Sequence, residues 1–452
     1  MVSAEPTGPS GGRGTPSSGG SDRIGARGHG LVTPCSCDTH LGVTRRAYRV
    51  AASRRETTNG GDGMRDQTGP IGRRALLRVT GAGAAAAAAG PAVARAATGA
   101  NAGVPEPRLR FRENGTFRVV QFNDTQDDER TDRRTVELME RTLDAEQPDF
   151  AVINGDVITG GCDSELQVKQ AINNVVTPME SRGVPWAITF GNHDEDSERS
   201  SGMSERDMLE FYMSYEHNLN EPGPSGGSGT GDTLVTVAGS GGDRVAFALW
   251  LIDSGRYAPD SIAGQGFEGY PHWGWVRPDQ IRWYSETSRK LERVAGGRVP
   301  GLMWMHIPLW EHRFMWFASV DSRGERDHDR ALDRHGIEGE RNEDECPGPF
   351  NSGMFAAILE RGDVRGVFCG HDHVNSYVGD YYGVLLGYSS GTGFGPYGLP
   401  GRERHRLRGA RVFELDENTP GGLHDTRMVF ARDFGIDMSP QDQPMDPLPL
   451  HR

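Results

Sequence analysis

Short apolar runs recur between residues 110 and 435, each ended by a polar or glycine-rich break, with amphipathic stretches between them. Residues 117–122, 150–153 and 184–190 are rich in Val, Ile and Phe and read as strands. Val136, Met139 and Leu143 repeat at i, i+3 and i+7, which is one face of a helix. Helices are also expected over about 164–181 and 204–215. The order is β-α-β-α-β, which predicts a layered sheet with helices packed outside. A Gly/Pro/Ser-rich loop at 221–231 closes this half. Strands are expected again at 234–237 and 245–253, a helix opened by Pro278 to about Arg293, and a strand at 301–306. A helix at 352–360 and a strand at 364–369 come next, and 381–388, 410–415 and 427–431 read as closing strands. Residues 311–348 show no sustained period. They come directly after His306 and its neighbours and are expected to form a substrate-side lid. The Pro-rich segment 436–452 is expected to be loosely held.

The residues at the ends of these strands carry chemistry. Asp124 comes just after 117–122, and Asn154-Gly155-Asp156 ends the next strand. Gly191-Asn192-His193-Asp194 comes after 184–190, His306 closes 301–305, and Gly370-His371-Asp372-His373 comes after 364–369. Ligands of open α/β sheets bind at the carboxyl ends of strands. Taken singly, Asp124 and Asp156 read equally well as helix N-caps, Asn192 as a turn residue and His306 as a core histidine. Taken together, Asp124, Asp156, Asn192, His306, His371 and His373 read as a metal centre. Mixed nitrogen and oxygen donors without thiolate suit Mn, Fe, Zn or Co. Asp156 is the natural bridge between two ions, and a pair about 3.5–4 Å apart can activate a water and clamp a displacement at phosphorus. His193 is then placed to protonate the leaving oxygen, with Asp194 fixing its tautomer. Trp273, Trp275 and Trp310, near the site, read as packing residues ahead of substrate-stacking ones.

Charge divides the chain. Residues 1–96 hold 13 Lys and Arg against 6 Asp and Glu, which leaves −21 on the remainder of a chain whose total is −14. That acidity argues against nucleic-acid binding. No run reaches the roughly 18 uncharged apolar residues of a membrane span. Residues 1–63 are rich in Gly, Ser, Thr and Arg and read as a disordered extension, or as untranslated if synthesis starts at Met64. Residues 64–96 have the order of an export signal: Gly72-Arg73-Arg74-Ala75-Leu76-Leu77-Arg78, which resembles the twin-arginine motif, an Ala-rich stretch, and Ala94-Arg95-Ala96. They predict engagement of the twin-arginine machinery and an extracytoplasmic or secreted location. Cys369 reads as a small buried apolar residue. Cys162 and Cys346 both lie in loop-like sequence, and a disulfide between them is an option in an oxidising compartment.

The ordered blocks Asp124-Thr125-Gln126, Gly155-Asp156, Gly191-Asn192-His193-Asp194, His306 and Gly370-His371-Asp372-His373 resemble the signature of the calcineurin-like metallophosphoesterases, over roughly residues 112–435. Residues 251–255, 306–311, 351–353 and 366–375 are similar to the single-domain fungal and plant branch labelled purple acid phosphatase. The resemblance implies an α/β fold built as a four-layer α/β/β/α sandwich. It places one ion on Asp124, Asp156 and His373 and a second on Asp156, Asn192, His306 and His371, and makes His193 the leaving-group acid. Two positions depart from the pattern. Gln126 stands where the family usually has His and offers a weaker amide oxygen. Thr159 stands where purple members carry a Tyr ligand, so no tyrosinate colour is expected. The expected function is an exported enzyme that hydrolyses phosphate monoesters, or phosphoesters of small molecules generally, with two metal ions (Mn, Fe or Zn) and a metal-bound hydroxide. A phosphodiesterase on the same site and a degenerate phosphatase-fold binding protein are the alternatives.

Overall fold

Alternation along one strand sets the layers. In β2 (Thr116–Phe122), Phe117 and Val119 point one way and Val120 and Phe122 the other, and all four are buried. A strand buried on both faces lies between two other layers. The computed structural model describes residues 105–450 except Asp243 and residues 319–327. The expected extension at 1–63 and the expected export signal at 64–96 lie outside the described residues. Around β2 the first half contains β1 (Leu109–Arg110), α1 (Arg133–Glu146), β3 (Phe150–Asn154), α2 (Glu165–Glu180), β4 (Trp186–Thr189), α3 (Glu198–Ser201) and α4 (Glu205–Met213). The middle holds β5 (Thr233–Ala238), β6 (Val245–Leu251), β7 (Ser261–Ile262), β8 (Gln265–Gly266), α5 (Pro278–Ala295) and β9 (Gly301–Trp304). The rest comprises α6 (Trp310–Phe317), α7 (His328–His335), α8 (Met354–Arg361), β10 (Val364–Cys369), β11 (Val378–Tyr381), β12 (Val384–Tyr388), β13 (Gly409–Asp416) and β14 (Leu423–Phe430).

These strands form a seven-stranded sheet, β1-β5-β6-β9-β10-β12-β11, and a five-stranded sheet, β14-β13-β2-β3-β4. The inner faces meet through Phe117, Val119, Val152, Phe247, Leu302, Trp304, Phe368 and Phe413. Outside the smaller sheet, Met139 of α1, Ile172 of α2 and Leu209 of α4 cover Val120, Ile153 and Ile188. Outside the larger sheet, Tyr284 and Leu291 of α5 and Ile358 of α8 cover Ala248, Trp250 and Val367. The result is the expected four-layer α/β/β/α sandwich. Strands β2, β3 and β4 run parallel, as do β6, β9 and β10, so their carboxyl ends gather on one edge.

Several expectations are corrected. Residues 381–388 are not one strand: β11 and β12 pair antiparallel around Tyr382 and Gly383, both at positive φ. A tyrosine in that conformation is an uncommon turn signal. The described parts of 311–348 are not the irregular stretch expected. They supply α6 and α7, and residues 339–345 then wedge behind the His371–Asn375 loop. There Arg341 and Glu345 form a buried pair at 2.8 Å, Glu345 accepts from Tyr377 Oη at 2.7 Å, and Glu343 accepts from the Val374 N–H at 2.8 Å. The segment 436–450 is not loose either. Gln443 N–H donates to Asp132, Arg134 donates to the carbonyls of Ser439 and Gln441, and Leu448 N–H donates to Asn174. No disulfide joins Cys162 and Cys346. Cys162 packs beneath α2 with its N–H on Ser197, whereas Cys346 lies against the metal-loop side with its N–H on Asp372. No helix among the described residues is long and apolar enough to cross a membrane.

Candidate metal centre

Each strand end turns sharply. Asp124, Gln126, Asp156 and His371 adopt φ of 50°, 42°, 52° and 72°. Such left-handed residues cost about 1–3 kcal/mol each and persist where surrounding structure fixes them. Here the fixing is backbone to backbone: Asp124 N–H donates to Gly155 O and Gln126 N–H to Asp156 O, each at 3.0 Å. Neither aspartate caps a helix, because Asp132 caps α1 and Ser164 caps α2. Gly155 and Gly191 leave the space the site needs. A Cβ at Gly155 would meet the His306 ring at 2.5 Å, and one at Gly191 would meet Asp156 Oδ1 at 2.2 Å.

The turns bring the side chains together. Asp124, Asp156 and His373 form one buried group whose ligand atoms lie within 4.8 Å of one another, and Asp156, His306 and His371 form a second. Asp156 belongs to both. His306 directs Nδ1 at the Asn154 carbonyl at 2.8 Å, which leaves Nε2 facing Asp156 Oδ2 at 3.0 Å. Asp156 Oδ1 accepts the His193 N–H at 2.8 Å. Asn192 is fully buried with neither end of its amide hydrogen-bonded, His371 Nε2 is likewise without a partner, and Asp156 Oδ2 and His306 Nε2 face only each other. Gln126 is half-buried on the Asp124 turn.

The electrostatics come from crowding carboxylates and imidazoles away from water. Burial, opposed by His306, lifts Asp124 to about 6. Burial also acts against charge on Asp156, but His306 and His193 outweigh it and hold that carboxyl far below its usual range. Burial disfavours a charged His306, yet Asp156 and Asp124 raise it to about 10. Burial keeps His371 neutral well below its ordinary value and takes His373 down to about 3, with Arg408 assisting. His371 and His373 are thus held in the neutral form that binds metal, whereas His306, held charged by the two carboxylates, would give up its proton to an ion.

His193 does not meet Asp194. Its Nδ1 lies 2.6 Å from Asp196 Oδ2, three residues on, and 3.4 Å from the Tyr257 hydroxyl. Asp194 instead gathers the backbone N–H groups of Asp156, Val157, Ile158 and Gly191 at 2.8–3.3 Å, so it builds the Asp156 turn. A carboxylate at i+3 was visible in the sequence, but Asp194 and Asp196 both lie close enough to compete, and only the turn geometry separates them. Trp310 and Trp275 pack around a cavity of about 10 Å³, room for roughly one water.

Two observations decide the family: the shared-carboxylate geometry, and a match of residues 117–375 to the profile described as Calcineurin-like phosphoesterase. The chain is a calcineurin-like phosphoesterase family member. "Probable inactive purple acid phosphatase 14" of Arabidopsis thaliana is 30% identical over 359 residues, covering 72% of this chain and 82% of its own. "Probable inactive purple acid phosphatase 29" of the same plant is 30% identical over 345 residues, with 69% and 79% coverage. A solved dimetal phosphatase from Danio rerio aligns over 70% of this chain and 99% of its own, at 13% identity and a TM-score of 0.40.

Proposed function

We propose that this calcineurin-like phosphoesterase is an exported hydrolase of phosphate monoesters that works with two metal ions, Mn, Fe or Zn. The observation that carries the reading is the convergence of buried donor atoms on Asp156, Asn192, His306 and His371 that are either unpartnered or face only one another. Buried polar atoms are normally paired, and this donor set fits a cation. Asp124, Asp156 and His373 would hold one ion, and Asp156, Asn192, His306 and His371 the other. When bound, such ions polarise phosphoryl oxygens and lower the pKa of water. The chain's own residues do the rest. Asn154 and Asp194 fix the His306 ring and the Asp156 turn, and Asp196 holds His193 Nδ1 so that Nε2 delivers the proton to the leaving oxygen. The word inactive in the plant relatives' names and the Gln126 position favour a second reading, a degenerate phosphatase-fold protein that binds without turnover.

The test is metal analysis of protein purified from its own host, then turnover of mono- and diesters with and without Mn(II) or Zn(II). Two bound ions and metal-dependent monoester hydrolysis are expected. Faster diester turnover would reassign the substrate class, and absence of turnover with either metal would establish the scaffold reading. For export, replacing Arg73 and Arg74 together with Lys is expected to retain the protein in the cytoplasm, and unchanged secretion would refute the twin-arginine route.

A further inference from the structure

Two aromatic side chains stand between His193 and His371, and the proposed chemistry gives neither a task. Trp273 meets the His371 ring edge-on, with centroids 4.5 Å apart at 84°. Tyr257 lies 5.8 Å from Trp273 at 34°, and 6.4 Å from the His193 ring. The pair therefore runs as a wall from a proposed metal ligand to the proposed acid. Tyr257 is 40% exposed and Trp273 is half-buried, so both keep surface open to an incoming group.

The wall is built rather than draped. Tyr257 and Trp273 face each other across an antiparallel bridge, flanked by bonds from Ala258 N–H to His272 O and from Gly274 N–H to Arg256 O. A Cβ at Gly274 would come within 2.7 Å of the Gly255 carbonyl carbon, so the two segments touch through backbone. The Tyr257 hydroxyl reaches Asp196 at 3.1 Å, which anchors the ring beside the acid. The cation at this rim is already engaged. Arg256 gives one guanidinium nitrogen to Glu195 at 2.6 Å and another to Asp196 at 3.2 Å. The rim thus presents aromatic surface and a net negative charge, not a cation for a second phosphate.

Resting on the phosphoesterase reading above, we infer that Tyr257 and Trp273 form the leaving-group subsite, selecting phosphate monoesters with an uncharged aromatic ring on or next to the ester oxygen. A leaving oxygen that takes its proton from His193 places its substituent beside the rings that flank His193. Offset or edge-on contact between rings at centroid distances of about 4.5–7 Å is favourable beyond the area it buries. An alkyl group gains only the area, and an anionic group meets Glu195 and Asp196.

The experiment pairs probes that differ only in the ring. Phenylphosphonate and methylphosphonate are compared as ligands by calorimetry on the holoenzyme. Phenyl phosphate is compared as a substrate with an alkyl phosphate whose alcohol is equally acidic. Phenylphosphonate is expected to bind about tenfold tighter than methylphosphonate. In Trp273→Leu that ratio, and the phenyl-to-alkyl ratio in kcat/KM, are expected to collapse towards one, with Trp273→Phe restoring part of both. Equal binding of the two phosphonates by wild type would overturn the subsite, as would a Trp273→Leu variant that keeps both ratios. A loss equal for both members of each pair would assign the rings to support of the imidazoles. Turnover of neither ester would defeat the phosphoesterase reading, while the phosphonate ratio would still judge the subsite.

Discussion

At the scale of single residues, the two neighbouring aspartates after His193 have opposite tasks, and their variants are expected to differ in kind. His193→Gln is expected to retain its metals and to lose about 10²–10⁴-fold in rate on alkyl phosphates, with far less loss on nitrophenyl phosphate, whose leaving group needs little help from an acid. Asp196→Asn is expected to show the same dependence on leaving group at smaller amplitude. Asp194→Asn is expected to lose metal and stability without that dependence, because its carboxylate holds four backbone N–H groups. Steady-state rates across a leaving-group series, with metal content of each variant, separate the three. Equal losses by His193→Gln on both ester types would make the imidazole a positioning group. Gln126 has its own test: Gln126→His is expected to take up the more weakly held ion at lower added metal, since imidazole is a better ligand for these ions than an amide oxygen. Identical titration curves would remove Gln126 from any account of metal affinity. Every candidate ligand of the two buried groups was legible in the sequence, because each stood at the end of an apolar run. Asp196 was not, because spacing alone does not say which of two nearby carboxylates a turn will aim at the ring.

At the scale of elements, the legible part is the part that repeats. Most strands with apolar alternation and helices with a 3.6-residue period lie close to their expected limits; β4, expected over 184–190, is the shorter Trp186–Thr189, and the strand expected at 427–431 is the longer Leu423–Phe430. Irregular pieces escape such a reading, because their order comes from polar contacts with distant residues. The 339–345 wedge has no period to detect, yet it is held by a buried Arg341–Glu345 pair. The turn before β13 is another such piece. His405 is fully buried there, with its ring 4.8 Å from Phe394 and Arg408 Nε directed at Nδ1. Burial, joined by Arg408, Arg134 and Arg404, takes its pKa down to about 3. The folded state thus keeps His405 neutral at pH values where the unfolded chain protonates it. Its effect on stability is absent above about pH 6.5, and stability is lost as pH falls from there towards 3. Between pH 6.5 and 5 the wild type is expected to lose about 1–2 kcal/mol more than His405→Gln, measured by denaturant unfolding at each pH. Parallel pH profiles would show that the imidazole is not what makes the fold acid-sensitive.

At the scale of the whole molecule, the segment after residue 436 is a structural strap across α1 and α2. Its Pro-rich, polar composition reads as loose, but those same properties suit a chain that runs extended and offers carbonyls to buried donors. Arg134 is its anchor: 1% exposed, paired with Asp132 at 2.7 Å, and bonded to the carbonyls of Ser439 and Gln441. Arg134→Ala leaves Asp132 buried and unpaired, which is expected to destabilise the fold by about 3–5 kcal/mol. The variant is also expected to be cut first by protease within 436–450, as read by mass spectrometry of limited digests. An unchanged digestion pattern would mean that the strap is held without its anchor.

That strap ties the domain's assembly to the order in which it is made. The carboxylate that caps the first helix meets the Gln443 N–H only once synthesis has passed that residue, some 311 positions after Asp132. Until then the opening of α1 lacks one partner and the guanidinium beside it lacks its carbonyls. A nascent or truncated chain that lacks the strap therefore leaves the start of α1 half-capped, and the domain is finished only when its last residues are in place.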